Sequence, residues 1–382
     1  MKTAKILRVT TVPVSLNTFC RGLLRELQEQ DGYEVVAVSS PGDAMREIEE
    51  REGVRTVAVP MERHISPLKD LKSLFGLIRV FQKEKPTMVH SMTPKAGLLS
   101  MMAAWFCRVP VRVHTFTGLV FPTATGLTQR ILILTDRITC ACATHIVPEG
   151  EGVKNDLINY HITRKQLKVL GHGNVRGIDL DHNNPELPEV QADVAKIRKP
   201  GIFTFVFVGR LVRDKGINEL IEAFERLNKE YTNTRLILVG PQEPKLDPLK
   251  PETIAKIDSN KNIEAVGLQS NVRPWLAASD AFVFPSYREG FPNVVIEAGA
   301  MSLPSIVTDI NGSREIIIEG KNGTIIPPRD AVALYQSMKS FLEQPDKRAQ
   351  MAFNARPFVA SRYEQSYVRR CLKEYYKEIL PR

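Results

Sequence analysis

Residues 202–224 read IFTFVFVGRLVRDKGINELIEAF. The run up to Val208 is apolar, β-branched and aromatic, with the length of a buried strand, and Gly209 interrupts it. From Ile217 the apolar residues return at Leu220, Ile221 and Phe224, the spacing of one helix face. A strand that is apolar throughout and leads by a short loop into a helix belongs in a parallel sheet covered by helices on both faces. Downstream the alternation continues through TRLILVG, NIEAVGL, AFVFPS and PSIVTD, each followed by a helical or turn-rich stretch. Upstream the same grammar appears in AKILRVTTV, YEVVAVSS, RTVAVP, TMVHSM and VRVHTF, with helical patterns between them.

Two rounds of this alternation predict an α/β chain of two doubly wound, Rossmann-like domains joined by right-handed crossovers. The expected boundaries are 1–175 for the first domain, 176–200 for a polar linker and 201–360 for the second domain, followed by a C-terminal helix over 361–382. A length of 382 residues, 43% apolar and 25% charged, suits two globular cores and no disordered class. No stretch reaches the roughly 18 apolar residues of a membrane span, and the opening segment lacks the pattern of a signal peptide. A cytoplasmic protein is expected. The five cysteines are scattered, and the single C-x-C, Cys140 and Cys142, lacks the second pair or histidine of a zinc site, so reduced thiols are expected.

The formal charge is +9, and residues 1–180 carry +7 of it. Within 53–137 there are 12 Lys or Arg against 4 Asp or Glu. Such a stretch is either a solvated face or the footprint of an anionic partner such as a phospholipid surface or a diphosphate-linked lipid. Nucleic acid is not expected, because aromatics do not interleave with the cations and no reading motif appears.

In open α/β sheets ligands gather at the carboxyl ends of strands, so the loops after strands carry the candidate chemistry. The loop Gly209 to Gly216 places Arg210 and Lys215 at a strand-to-helix junction. A guanidinium fork, a mobile ammonium and helix N-terminal amides together suit a diphosphate. The second cluster is Glu289-Gly290-Phe291-Pro292-Asn293 and, eight residues after the first glutamate, Glu297. Carboxylates accept hydrogen bonds from hydroxyls, and this pair suits a sugar at one end and a ribose at the other.

Taken together, these segments resemble the retaining glycosyltransferases of the GT-B fold, family four, which includes bacterial capsular-polysaccharide and lipid-linked-oligosaccharide enzymes. The resemblance spans most of the chain and is most specific at VGRLVRDKG and at the E-x7-E motif. It implies two Rossmann-like domains facing across a cleft, with the C-terminal helix returning to the first. By motif position it puts Gly209, Arg210 and Lys215 at the donor diphosphate and Glu297 at the ribose. Glu289 with the backbone amides of the segment Gly290, Phe291, Pro292 and Asn293 would hold the transferred sugar, and Gly240 and Leu268 would border the base. The first domain resembles the family through HSMTPKAGLL and VRVHTFTGL but departs in two places. TTVPVSLNTF replaces the glycine pair after the first strand, leaving Asn17 or Thr18 to reach the site. Phe116 stands where many members carry a catalytic histidine, and His114, two residues earlier on the same strand face, is either its substitute or a core histidine. His90 and Lys95, at the fourth strand and the start of the next helix, complete the acceptor side.

The expected activity is metal-independent, retaining transfer of a sugar from a nucleoside-diphosphate donor, expected to be a UDP-sugar, to a glycan or polyprenyl-diphosphate-linked acceptor. Glu289 and His114 are the catalytic candidates, and no cofactor is expected. The only D-x-D, Asp179 to Asp181, lies in the expected linker. The helices KDLKSLFGLIRVF and TGLTQRILIL suggest contact with an anionic membrane surface. The alternatives are a UDP-sugar epimerase of the same architecture and a non-catalytic nucleotide-binding module.

Overall fold

The computed structural model describes residues 3–62, 64, 66–243, 245 and 247–381. The chain divides into two compact units, one built from residues 1–177 and 366–382, the other from Ile178–Gln365.

The first unit runs β1 (Lys5–Val9), α1 (Pro13–Phe19), α2 (Leu23–Glu29), β2 (Glu34–Ser39), α3 (Ala44–Glu52), β3 (Arg55–Ala58), α4 (Pro67–Glu84), β4 (Met88–Met92), α5 (Pro94–Phe106), β5 (Val111–Phe116), α6 (Gly126–Cys142), β6 (His145–Pro148) and α7 (Glu151–Asn159). Its six strands are all parallel, in the order β3-β2-β1-β4-β5-β6. Proline opens α1, α4 and α5, where its missing N–H costs nothing.

The second unit runs α8 (Pro188–Ile197), β7 (Phe203–Val208), α9 (Ile217–Glu230), β8 (Thr234–Val239), α10 (Pro251–Ser259), β9 (Ile263–Gly267), α11 (Arg273–Ala277), β10 (Ala281–Phe284), α12 (Asn293–Ala300), β11 (Ser305–Thr308), α13 (Ser313–Ile316), β12 (Gly323–Ile326), α14 (Ala331–Glu343) and α15 (Pro345–Tyr363). The order of its parallel sheet is β12-β11-β10-β7-β8-β9, so counted within the unit it repeats that of the first. After α15 the chain enters α16 (Gln365–Ile379), which belongs to the first unit. The polar stretch read as a linker thus holds α8, and residues from Ile178 onward are counted in the second unit. Asp179 of the D-x-D accepts the backbone N–H of His182 at 2.9 Å and shapes a turn there.

In each sheet the strand order reverses between the first and fourth strands, β1 and β4 in one unit, β7 and β10 in the other. Crossovers leave to opposite sides at these points and open a crevice at the strand ends. The central strands are buried on both faces: Phe205 to Val208 and Ala281 to Phe284 lie in one core with Leu220, Ile221 and Phe224 of α9. The first sheet has two separate cores, one per face. Val89, Phe116 and Cys140 lie on the α5 and α6 side, Met88, Met92 and Val113 on the side closed by Leu372 and Tyr376 of α16.

Candidate active site

In the second unit the candidate residues converge on the β7/β10 reversal. Gly209 ends β7 at φ +152° and Gly240 ends β8 at φ +141°, and a Cβ on Gly240 would lie 1.9 Å from the Gly209 carbonyl oxygen. Gly240 requires glycine because backbone of the β7 loop lies against it, and Gly209 because of its φ and the Phe207 ring 3.0 Å from where a Cβ would lie. Gly216, at φ +72°, turns the chain into α9, where an added Cβ would lie 2.0 Å from the carbonyl oxygen of Pro285 after β10. The loops that follow β7 and β10 are therefore in van der Waals contact.

That contact brings Lys215 to Glu289. The Lys215 ammonium donates to Glu289 Oε1, which also accepts the Ser286 hydroxyl at 2.8 Å, and the ammonium sits 5.6 Å above the Phe284 ring. Arg210 is half exposed and its Nη1 donates to Glu243 at 2.7 Å. α12 begins at Asn293 with Pro292 as its N-cap, so Glu297 lies on the second turn, past the N-terminal amides that adjoin Glu289. Tyr287 and Arg288 brace the loop: the Tyr287 hydroxyl donates to Glu219 at 2.6 Å, and Arg288 reaches Asp214 at 3.5 Å. Burial and the Glu219 carboxylate push the Tyr287 phenol up, keeping it a donor. A cationic pair, two carboxylates and a helix N-terminus at a strand-order reversal can hold a diphosphate with hydroxylated groups on either side.

The Phe291 side chain is buried against Tyr363, with ring centroids 5.5 Å apart, so only its backbone can face a ligand. Leu268 is 76% exposed. Sequence reading missed Ser286 and Glu243, which bond Glu289 and Arg210, and Glu219, which bonds the Tyr287 hydroxyl; a short polar residue directly after an apolar strand was the available signal for Ser286.

The first unit separates its candidates. His90 and His114 lie on different strands, and strand alternation sends them to opposite faces of the sheet. His90 faces α16, 1% exposed: its Nε2 meets the Thr115 hydroxyl at 2.7 Å, and its Nδ1 lies 2.6 Å from both Arg8 Nη1 and the Tyr376 hydroxyl. Burial, with the Arg8 charge adding to it, holds the imidazole well below its usual pKa, so Nδ1 accepts from both groups. His90 is thus part of a buried network, and with Arg8, Met92 and Thr115 it also lines a depression of about 390 Å3, counting the open mouth. Lys95 is ion-paired with Asp70 of α4 at 2.6 Å. Asn17 accepts from Arg51, and Thr18 bonds back to the Val14 carbonyl at 2.8 Å on its own helix. Where a glycine pair was absent, Thr11 closes the β1/β4 reversal, its hydroxyl 2.8 Å from that of Thr93.

His114 faces α5 and α6. Its Nδ1 is 2.9 Å from the Ser91 hydroxyl, its ring lies edge-on to Phe116 at 4.5 Å, and a Cβ on Gly97 would lie 2.3 Å from its Cε1. Burial lowers its pKa to about 3, so the ring is neutral. It lines a depression of about 360 Å3, counting the open mouth, between β5 and α6. Among the described residues no group of three His, Cys, Asp or Glu is placed to hold a metal, and no helix is long and apolar enough to cross a membrane.

Residues 191–358 match the family model described as glycosyl transferases group 1, and residues 16–173 match that of the glycosyl transferase 4-like domain. The chain is 30% identical over 381 residues to the capsular polysaccharide biosynthesis glycosyltransferase CapM of Staphylococcus aureus, covering 100% of this chain and 98% of that one. The chain belongs to this glycosyltransferase family. The glycosyltransferase is also 28% identical over 274 residues to the Escherichia coli UDP-Gal:alpha-D-GlcNAc-diphosphoundecaprenol alpha-1,3-galactosyltransferase, 70% of this chain and 69% of that one. In structure it is similar to Anabaena HepE solved with UDP and glucose, with a TM-score of 0.80 at 18% identity over 98% of this chain and 100% of that one. The glycosyltransferase thus has the GT-B fold expected from its sequence.

Proposed function

We propose that this glycosyltransferase moves a sugar from a UDP-sugar to a hydroxyl of a lipid-linked or surface-polysaccharide acceptor, with retention and without a metal ion. The observation that carries the reading is the Lys215–Glu289 pair where the loops after β7 and β10 meet at the strand-order reversal, with Arg210 in the same β7 loop. UDP in the HepE complex and the undecaprenol-linked acceptor in the name of the Escherichia coli relative support the choice of donor and acceptor classes.

In this mechanism Arg210 and Lys215, with the N-terminal amides of α9 and α12, offset the negative charge that grows on the departing diphosphate. Two fixed cations supply the compensation a divalent ion would otherwise bring. Glu297 binds the ribose hydroxyls. Glu289 orients Lys215 and the transferred sugar, and the donor phosphate takes the proton of the acceptor hydroxyl as the new glycosidic bond forms on the face the diphosphate leaves. His114, neutral and held by Ser91, acts as a fixed wall and takes no proton.

Attachment to an anionic membrane surface is part of the proposal. Leu68, Leu71 and Phe75 on α4, Trp105 and Phe106 at the end of α5, and Leu127 and Leu134 on α6 are exposed, and exposed Lys72, Arg108 and Arg130 lie among them in sequence. An apolar ridge with interspersed cations binds anionic lipid by burial and charge together. Co-sedimentation with phosphatidylglycerol vesicles at low salt is expected, and its absence overturns this part alone.

The central test is thermal-shift screening against UDP-, GDP- and dTDP-sugars in EDTA. Stabilisation by a UDP-sugar that disappears in Arg210→Ala and Glu297→Ala is expected; indifference to every nucleotide sugar refutes the donor site.

A further inference from the structure

Glu289 makes its hydrogen bonds with the protein on one carboxylate oxygen. Oε1 accepts from the Lys215 ammonium and, at 2.8 Å, from the Ser286 hydroxyl. Oε2 has no partner among the described residues and is not sealed from solvent, so it is the oxygen open to a ligand. Ser286 lies just past β10 and is 0% exposed. Its hydroxyl proton has three acceptors in reach: Glu289 Oε1, the Arg288 carbonyl at 3.2 Å and the Asp214 carbonyl at 3.4 Å. The carboxylate is the nearest and the only charged one, so it takes the proton. The serine is itself pinned. Its carbonyl accepts from the buried Thr308 hydroxyl at the end of β11, and the adjoining Tyr287 N–H donates to the Asp214 carbonyl at 2.8 Å.

We propose that Ser286 is a positioning residue of the donor site, holding Glu289 Oε1 when Lys215 leaves it for the diphosphate, so that Oε2 stays aimed at a hydroxyl of the transferred sugar; this rests on the donor site proposed above. Lys215 has a flexible stem and serves two acceptors in turn, Glu289 in the empty site and phosphate in the filled one. Its departure takes from the carboxylate the stronger of its two bonds. Glu289, its side chain only 17% exposed, would then be free to turn away from the sugar. The serine cannot follow the ammonium, because the ends of β10 and β11 fix its backbone, and its bond is the one that persists. One carboxylate oxygen thus belongs to the protein and the other to the substrate.

The test is isothermal titration of the full chain with UDP, UDP-glucose, UDP-galactose and UDP-N-acetylglucosamine, comparing wild type, Ser286→Ala, Glu289→Ala and the double variant. In Ser286→Ala the best-bound UDP-sugar is expected to weaken about fivefold or more while UDP stays within about twofold, since only the sugar loses a correctly held acceptor. In the Glu289→Ala background Ser286→Ala is expected to change none of the four affinities further, because the serine acts only through the carboxylate. Ser286→Cys, a weaker donor of similar shape, is expected to fall between wild type and Ser286→Ala. A merely structural role would weaken UDP and the UDP-sugars in parallel, and that result overturns the proposal, as do unchanged affinities in Ser286→Ala or a further loss in the double variant. A wild type that binds none of the four removes the donor reading and this inference with it. A wild type that binds them while Ser286→Ala matches it removes the inference alone.

Discussion

Lys215 and Glu289, 74 residues apart in sequence, form an ion pair with each other where the loops after β7 and β10 meet. The ammonium proposed for the donor diphosphate is thus neutralised by the carboxylate proposed for the sugar. Glu289→Gln is expected to leave UDP affinity equal or modestly higher, because Lys215 is released to the phosphates, while turnover falls about 10²- to 10³-fold. Isothermal titration with UDP and steady-state turnover measure the two separately; a parallel loss of both contradicts the assigned roles.

Arg210 holds one partner, Glu243, and is half exposed, so its removal costs the fold little. Arg210→Ala is expected to weaken UDP binding about tenfold or more while the unliganded melting temperature changes by no more than a degree or two. Arg210→Lys is expected to recover only part, since an ammonium lacks the fork.

Gly240→Ala puts a methyl group 1.9 Å from the Gly209 carbonyl oxygen, on backbone that cannot rotate away. A loss of about 2 kcal/mol or more is expected, with loss of the UDP-induced thermal shift. Gly201→Ala, also at positive φ but with nothing within 4 Å, provides the comparison and is expected to cost only about 1–2 kcal/mol and to keep the shift.

Asp136 sets a pH dependence of stability. Burial lifts its folded-state pKa to about 7, above the usual 3.8, so between these values the folded chain holds a proton that the unfolded chain has lost. Stability from this group is therefore full below about pH 4 and declines as pH rises towards 7. His114, lowered to about 3 by burial, contributes the opposite slope, because the unfolded chain takes up a proton there near the usual 6.5, so the comparison of wild type with Asp136→Asn isolates the carboxylate. Asp136→Asn is expected to raise the melting temperature at pH 8 by more than at pH 5; a gain independent of pH contradicts the assignment.

Tyr376→Phe removes the hydroxyl that accepts from Arg8 at 2.5 Å and donates to His90. A loss of about 1–3 kcal/mol is expected, with faster proteolytic cleavage around α16, because buried Arg8 and His90 lose a partner water cannot replace.

The two sheets were legible because their central strands are apolar on both faces and alternate with helices of the right length, leaving few other architectures. The candidate donor residues Lys215 and Glu289 could be grouped from the sequence because each follows a strand end, and the strand order brings those two ends together. The linker was misread at 188–197, where PEVQADVAKI carries a proline start and a helical period that a polar composition masked. In the first unit the sequence could show that His90 and His114 each lay near a strand end, but not which face each side chain entered. That depends on register and on a helix, α16, arriving from the far end of the chain.

The return of α16 to the first unit has a bearing on biosynthesis. Residues 1–177 emerge from the ribosome first, yet the face of their sheet around Arg8 and Met92 stays uncovered until Leu372 and Tyr376 have been made. The half translated first is therefore the half completed last, after the intervening 188 residues have had time to collapse on their own. A released chain ending at residue 365 would have its second unit entire and its first left open along one side.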